Sequence, residues 1–226
     1  MREPNDYTSE QIAAIASHDL NNIIGLLFAA CSYVEEGSED QLDTEAYSAI
    51  NDACSRANVF SNALLLLAID ELELNSSQAL EPSSVGFEDI DSIVDDIRSW
   101  CGVKVENKSR KFEPLIAQVD TRILRALMIS AMTCLRRVAS VQATFSCTVS
   151  IDHGINSNTI RNIVELRAHQ EAPFFNSVSA VDIPYLADLA LKRADTVLPR
   201  LGVKIDREEV GSVRILLAVP GQVGNL

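Results

Sequence analysis

The chain is short of positive charge, has no paired cysteines and has no long apolar run. Lysine and arginine number 19 against 32 aspartate and glutamate, a formal net charge of −13 over 226 residues. Contact with a nucleic-acid backbone needs a basic patch to neutralise phosphates, and the sequence concentrates none, which argues against a nucleic-acid partner. The acidic excess is read as a solvated surface that keeps the chain soluble, and it points to no particular partner. Cys31, Cys54, Cys101, Cys134 and Cys147 are scattered without a C-x-x-C pair, mostly in apolar surroundings. They are expected to be reduced core residues of a protein in a reducing compartment. The N-terminal MREPNDYTSEQ lacks the apolar stretch of a signal peptide, and the longest apolar run, ALLLLAI at 63–69, is too short to cross a bilayer. A cytoplasmic protein without a membrane anchor is the expectation. No internal repeat is visible.

What the chain does have is a composition, 47% hydrophobic and 23% charged, that suits a globular protein with a real core. A first helix is predicted to start at Thr8 or Ser9, where Thr8 and Gln11 make a capping box, and to stop near Gly37. Its apolar residues, among them Ile12, Ile15, Leu20, Ile23, Leu27 and Ala30, recur at helical spacing. After the polar SEDQLD, a second helix is predicted from Thr44 to Leu74, with Tyr47, Ile50, Cys54, Phe60, Leu64 and Leu67 on its stripe. Two such helices form an αα-hairpin that cannot cover both stripes alone, so pairing with a second copy would close a four-helix bundle.

The segment NSSQALEPSSVG at 75–86 is rich in turn formers and is read as a boundary. It divides a helical hairpin domain, 1–78, from a second domain, 79–226. In the second domain the pattern predicts a helix at 87–100, a strand at 112–119 and a helix from Asp120 to Val138. Two strands, ATFSCTVSID and TIRNIVELRA, flank the turn-like HGINSN. A helix from Pro184 to Gly202 and a last hairpin, VKIDREEVGSVRILLAV, complete an α/β sandwich with one helical layer.

The first helix contains IASHDLNNIIGLLF, in which His18, Asp19, Asn21 and Asn22 interrupt an apolar segment. Asn and Asp compete for backbone hydrogen bonds inside helices, so their presence asks for a reason. At ~100° per residue, His18 falls roughly opposite the apolar sector, with Asn22, Gly25 and Ala29 following it up the same face. An exposed histidine is commonly only that. Here it sits beside a carboxylate able to orient the ring, an amide lies one turn on, and Gly25, costing about 1 kcal/mol in a helix, clears room for another backbone. A zinc site would want a second ligand where Asn22 stands, and no serine or cysteine near His18 has the setting of a hydrolytic triad. His153 and His169 are read as structural or surface residues.

SHDLNNIIG resembles the H-box of two-component histidine kinases. The resemblance implies that His18 carries a phosphoryl group, that Asp19 is the adjacent acid/base and that Asn22 takes the position linked to dephosphorylation. Ile23 stands where that family commonly has proline. In the second domain, LIAQVDTRILRALMISAMTCLRR resembles the strand and N-box helix of a histidine kinase ATP-binding domain. LADLALKRADTVLPRLGVKIDREEVGSVRILLAVP resembles its last helix and hairpin. The magnesium-binding Asn is replaced by Thr133 or a neighbour, LRAHQEAP replaces the adenine box, and Ile155 to Leu201 contains no glycine to cradle phosphates.

A phosphoacceptor hairpin joined to a degenerate ATP-binding-like domain resembles the dimeric histidine phosphotransferases of bacterial phosphorelays. The expected fold class is α+β, a hairpin forming a dimeric four-helix bundle followed by that degenerate domain. The expected partners are response regulator receiver domains, including the phosphorylated receiver of a hybrid kinase, and a second copy of the chain. No cofactor of its own is expected, Mg2+ coming with the receiver. Asn21, Gly25 and Ala29 are expected to dock that partner. A divergent sensor kinase and a non-catalytic adaptor are the alternatives.

Overall fold

The computed structural model describes residues 8–36, 42–68, 83–109, 115–117, 119–140, 142–153, 160–170, 186–207 and 211–219. Helix α1 (Ser9–Glu36) opens on the expected capping box: Thr8 Oγ1 accepts from the Gln11 N–H at 3.2 Å and Gln11 Oε1 from the Thr8 N–H at 2.9 Å. Helix α2 (Leu42–Leu67) packs along it. The predicted extension of α2 to Leu74 lies outside the described residues.

The helix faces differ from the expected stripes. On α1 Ile15, Ile23 and Ala30 are buried, but Leu20 and Leu27 are exposed, as are Ile24 and Phe28. On α2 the buried positions are Ala46, Ala53, Ala63 and Leu66, whereas Tyr47 is 73% exposed and Ile50 and Leu64 are also exposed. Both helices are apolar around much of their circumference, so spacing alone could not choose the packed side. The alanines win because small side chains let two helix axes come close. Cys31 and Cys54 are exposed too, which corrects their assignment to the core, while Cys101 and Cys147 are buried. By length and composition Gln11–Ser32 would suffice to cross a membrane, a property that a single-run count at 63–69 did not register.

Beyond the hairpin the order is β1 (Ser83–Val85), α3 (Phe87–Cys101), β2 (Val105–Asn107), β3 (Leu115–Ala117), α4 (Thr121–Val138), β4 (Thr144–His153), β5 (Ile160–His169), α5 (Leu186–Val197), a short 3-10 turn (Leu198–Leu201), β6 (Val203–Asp206) and β7 (Ser212–Ala218). The five-stranded sheet runs β2-β4-β5-β7-β6. Strand β2 is parallel to β4 and the other neighbours are antiparallel, so the sheet is mixed. Strands β1 and β3 pair separately. Neither β1 nor β2 was anticipated, because three residues carry too little periodicity to read. The predicted helix to Gly202 breaks into α5 and the 3-10 turn at Pro199, and Gly202 closes it at φ 75°.

Alternation along β5 sends Val164, Leu166 and Ala168 to the core, and Glu165 and Arg167 to the half-buried opposite side. There Glu165 accepts hydrogen bonds from Arg167, Ser212 and Arg214. Burial pushes its carboxyl up, but these bonds outweigh it and hold the group below the ordinary carboxylate range. Helix α4 starts at Asp120, whose carboxylate accepts the Arg122 N–H at 2.7 Å. Every residue from Ala126 to Met132 is buried, because α4 lies between the sheet and the helices α2, α3 and α5. Middle turns that are apolar on all sides but for Ser130 need such a central place, while Arg122, Arg125, Arg136 and Arg137 mark the helix ends.

The hairpin shares this core. Leu66 is 0% exposed and joins Ile15 and Ala63 in one cluster with the residues of α3, α4 and α5, and Phe60, Leu65 and Leu67 pack against it. Leu66→Ala is expected to cost about 2–5 kcal/mol, the range for emptying a packed leucine site. Urea unfolding followed by circular dichroism measures this, and a cost under about 1 kcal/mol would show the seam to be loose.

Candidate functional site

The site lies midway along α1. His18 is displayed with its side chain 49% exposed, and Asn22, one turn on, is exposed beside it. His18 Nδ1 lies 3.4 Å from Asp19 Oδ1 and 3.4 Å from Asn22 Nδ2. The two contacts use opposite tautomers. Protonated, Nδ1 donates to Asp19; unprotonated, it accepts from Asn22. In the first case the lone pair stays on Nε2, the nitrogen that has no partner among the described residues.

Asp19, one residue on, turns about 100° toward the packed side of the helix. Its Oδ2 accepts the backbone N–H of Leu186 at 3.4 Å, at the first turn of α5. The same carboxylate therefore touches both the displayed imidazole and the second domain. Both contacts are long, so they orient more than they bind.

The structure thus brings His18, Asp19 and Asn22 together. Asn21, Gly25 and Ala29 are exposed, and a Cβ built on Gly25 would meet nothing within 4 Å. His169 lies elsewhere, its Nε2 2.8 Å from Ser146 Oγ at the end of β5. Among the described residues no three His, Cys, Asp or Glu gather as a metal site would require.

Beside Asp19 and Asn22 opens a cleft of about 270 Å³ between the hairpin and the second domain. Arg56, Val59 and Phe60 of α2 line one side; Trp100, Thr133, Arg136 and Leu186 line the other. Sequence reasoning put Phe60 on the α2 stripe and Thr133 at the N-box position without bringing them to a shared cleft, and it singled out none of Arg56, Val59, Arg136 and Leu186. One signal was available for Arg56, which is the sole Lys or Arg between Arg2 and Arg98.

The positions compared with a magnesium-binding Asn have other uses. Thr133 Oγ1 donates back to the Ile129 carbonyl at 2.8 Å, and Cys134 Sγ donates to Asp188 Oδ1 at 2.8 Å. Arg137 pairs with the other Asp188 oxygen, so α4 and α5 are tied side by side. Burial, and then the Asp188 charge, push the Cys134 thiol well up, keeping it a protonated donor. The segment from Glu171 to Tyr185, which holds most of the glycine-free stretch before α5, lies outside the described residues.

No protein-family model matches the chain, and no curated protein matches it in sequence. Among solved structures it is similar to the Acinetobacter baumannii histidine kinase AdeS, at 11% identity and a TM-score of 0.50 over 90% of this chain and 98% of that one. It is similar also to a bacterial phosphotransferase, at 10% identity and a TM-score of 0.51 over 95% of this chain and 99% of the other. At such identities the likeness is one of backbone architecture: the chain has a fold related to that of histidine kinases.

Proposed function

We propose that the chain is a histidine phosphotransferase of a two-component phosphorelay, carrying a phosphoryl group between receiver-domain aspartates on His18. The observation that carries this reading is the displayed His18 ring with Asp19 and Asn22 both within 3.4 Å of Nδ1. A fold shared with a histidine kinase and a phosphotransferase supports it.

In the reaction Nε2 attacks the phosphorus of an aspartyl phosphate on a receiver. The N–P bond forms, the P–O bond breaks, and the receiver keeps its carboxylate. The ring becomes cationic with its proton on Nδ1, and Asp19 stabilises that charge. Asn22 offers an amide when Nδ1 is unprotonated. Mg2+ and most of the charge stabilisation belong to the receiver, and this chain contributes alignment. Small residues at Gly25 and Ala29 leave space for a receiver helix on the face above His18.

Label supplied as a phosphorylated receiver is expected to move to this chain as an acid-labile, alkali-stable adduct. His18→Ala should abolish transfer while leaving the melting temperature nearly unchanged, since the side chain is half exposed and its two hydrogen bonds are long. Transfer at the wild-type rate in His18→Ala, with loss in His169→Ala, would refute the assignment.

The reading includes no use of ATP. Thr133 is bonded to its own helix and both Asp188 oxygens are engaged by Cys134 and Arg137, so the side-chain oxygens nearest the N-box position already have other partners, and magnesium takes oxygen ligands. Titration calorimetry with Mg-ATP is expected to give no resolvable heat. Micromolar binding would restore the kinase reading.

The reading also includes a homodimer through the hairpin. Leu20, Ile24, Leu27 and Phe28 of α1 and Tyr47, Ile50 and Leu64 of α2 are exposed, and Phe28 is 70% so. Monomeric surfaces rarely gather this many large apolar side chains. Steps of ~100° place Cys31 among the α1 group and Cys54 among the α2 group. Light scattering should report a dimer at tens of micromolar, a concentration of order matched to about −6 to −8 kcal/mol. Alkylation of Cys31 and Cys54 should slow as the protein is concentrated. A monomer with both thiols fully reactive would exclude the dimer.

A further inference from the structure

The cleft beside Asp19 has two guanidinium groups and an apolar wall. Arg56 has no hydrogen-bond or ion-pair partner among the described residues. In a chain with 32 acidic side chains an arginine without a carboxylate is unusual, and Asp52 stands one helical turn away without pairing to it. Arg136 reaches the cleft from α4, and its Nη1 donates to the Cys101 carbonyl at the end of α3. That bond fixes the guanidinium and leaves its other donors available. Phe60 and Trp100, both half-buried, complete the lining on either side.

Two cations facing one space repel each other unless an anion lies between them. Asp19 also lines the cleft, but its two oxygens are turned to His18 Nδ1 and to the Leu186 N–H. The aromatic rings add a surface that a bare inorganic ion would not use. The volume, about 270 Å³, is near the lower end for small-molecule pockets, about 300 Å³.

We propose that this cleft binds a small organic anion, a carboxylate or phosphate monoester on a short apolar body, with the charge held by Arg56 and Arg136 and the body against Phe60 and Trp100. Because the walls come from both the hairpin and the second domain, an occupant ties the two together next to Asp19. The site stands whether or not His18 is a phosphoacceptor.

Trp100 is the sole tryptophan of the chain, so intrinsic fluorescence reports on this cleft. Full-length protein is titrated with n-butyl phosphate, hexanoate and inorganic phosphate at fixed ionic strength. A saturable fluorescence change is expected with an organic anion, with at least about tenfold weaker binding of inorganic phosphate. The stronger of butyl phosphate and hexanoate identifies the headgroup. Arg56→Gln, which breaks no hydrogen bond or ion pair among the described residues, should weaken binding by about tenfold or more, as loss of a charge-assisted bond does. Arg136→Gln should do the same, with its melting temperature checked because it also frees the Cys101 carbonyl. No saturable change with any probe, binding unaffected in Arg56→Gln, or equal response to inorganic and butyl phosphate would each overturn the proposal.

Discussion

The Asp19 carboxylate is placed where two demands meet, and the geometry around it orders the rest of the molecule. On an α-helix adjacent residues point about 100° apart, so a residue beside an exposed histidine can look inward. His18 looks out, Asp19 looks along the rim, and its second oxygen finds the N–H of Leu186. For that contact to exist the second domain must rest against α1 at this level and in this orientation. The seam of Phe60, Ala63 and Leu66 of α2 against the core of α3, α4 and α5 sets that position. A long hydrogen bond alone could not hold two bodies together; buried side chains do, and the hydrogen bond reads out the result.

This division explains why the hairpin carries apolar residues on more than one side. One side packs helix to helix through Ala30, Ala46 and Ala53, and another meets the second domain through Ile15, Ala63 and Leu66. A third, with Leu20, Ile24, Phe28 and Tyr47, is left exposed. On α1 the strip through His18, Asn22, Gly25 and Ala29 is polar or small and free of bulk, which leaves room for a partner to approach His18 along it.

The parts legible in sequence were those written in local chemistry. Thr8 and Gln11 announced their reciprocal cap, Asp120 announced the start of α4, and the β4 and β5 segments announced a hairpin whose register runs from Thr144↔His169 to His153↔Ile160. The exposure of His18 followed from helical steps, and the reach of Asp19 to the ring from its place beside it. What was not legible depended on partners distant in sequence. The choice of Ala53 over Ile50 as a packed residue, the pairing of β2 with β4, and the exposure of Cys31 and Cys54 are decided by what lies across the helix or strand. The cleft is the extreme case, since its walls come from five separate helices, and no window of sequence contains it.

The chain has a fold related to that of histidine kinases, and its resemblance to their N-box implies a nucleotide site. On that resemblance, a domain that brought a nucleotide to His18 and then withdrew would need a mobile seat on the hairpin and oxygen ligands on the N-box helix. Here the seat is a shared hydrophobic core, and the ligand position is taken by Thr133 bonded to its own helix and a thiol bonded to Asp188. The two changes reinforce each other. On the proposed reading no nucleotide has to be delivered, so nothing opposes burying Leu66 in a fixed seam, and with the seam fixed Leu186 can serve Asp19 continuously. On the same reading the domain has exchanged delivery of a phosphoryl group for positioning of the carboxylate that faces the Nδ1 proton of His18, which leaves the outer face of His18 to the receivers.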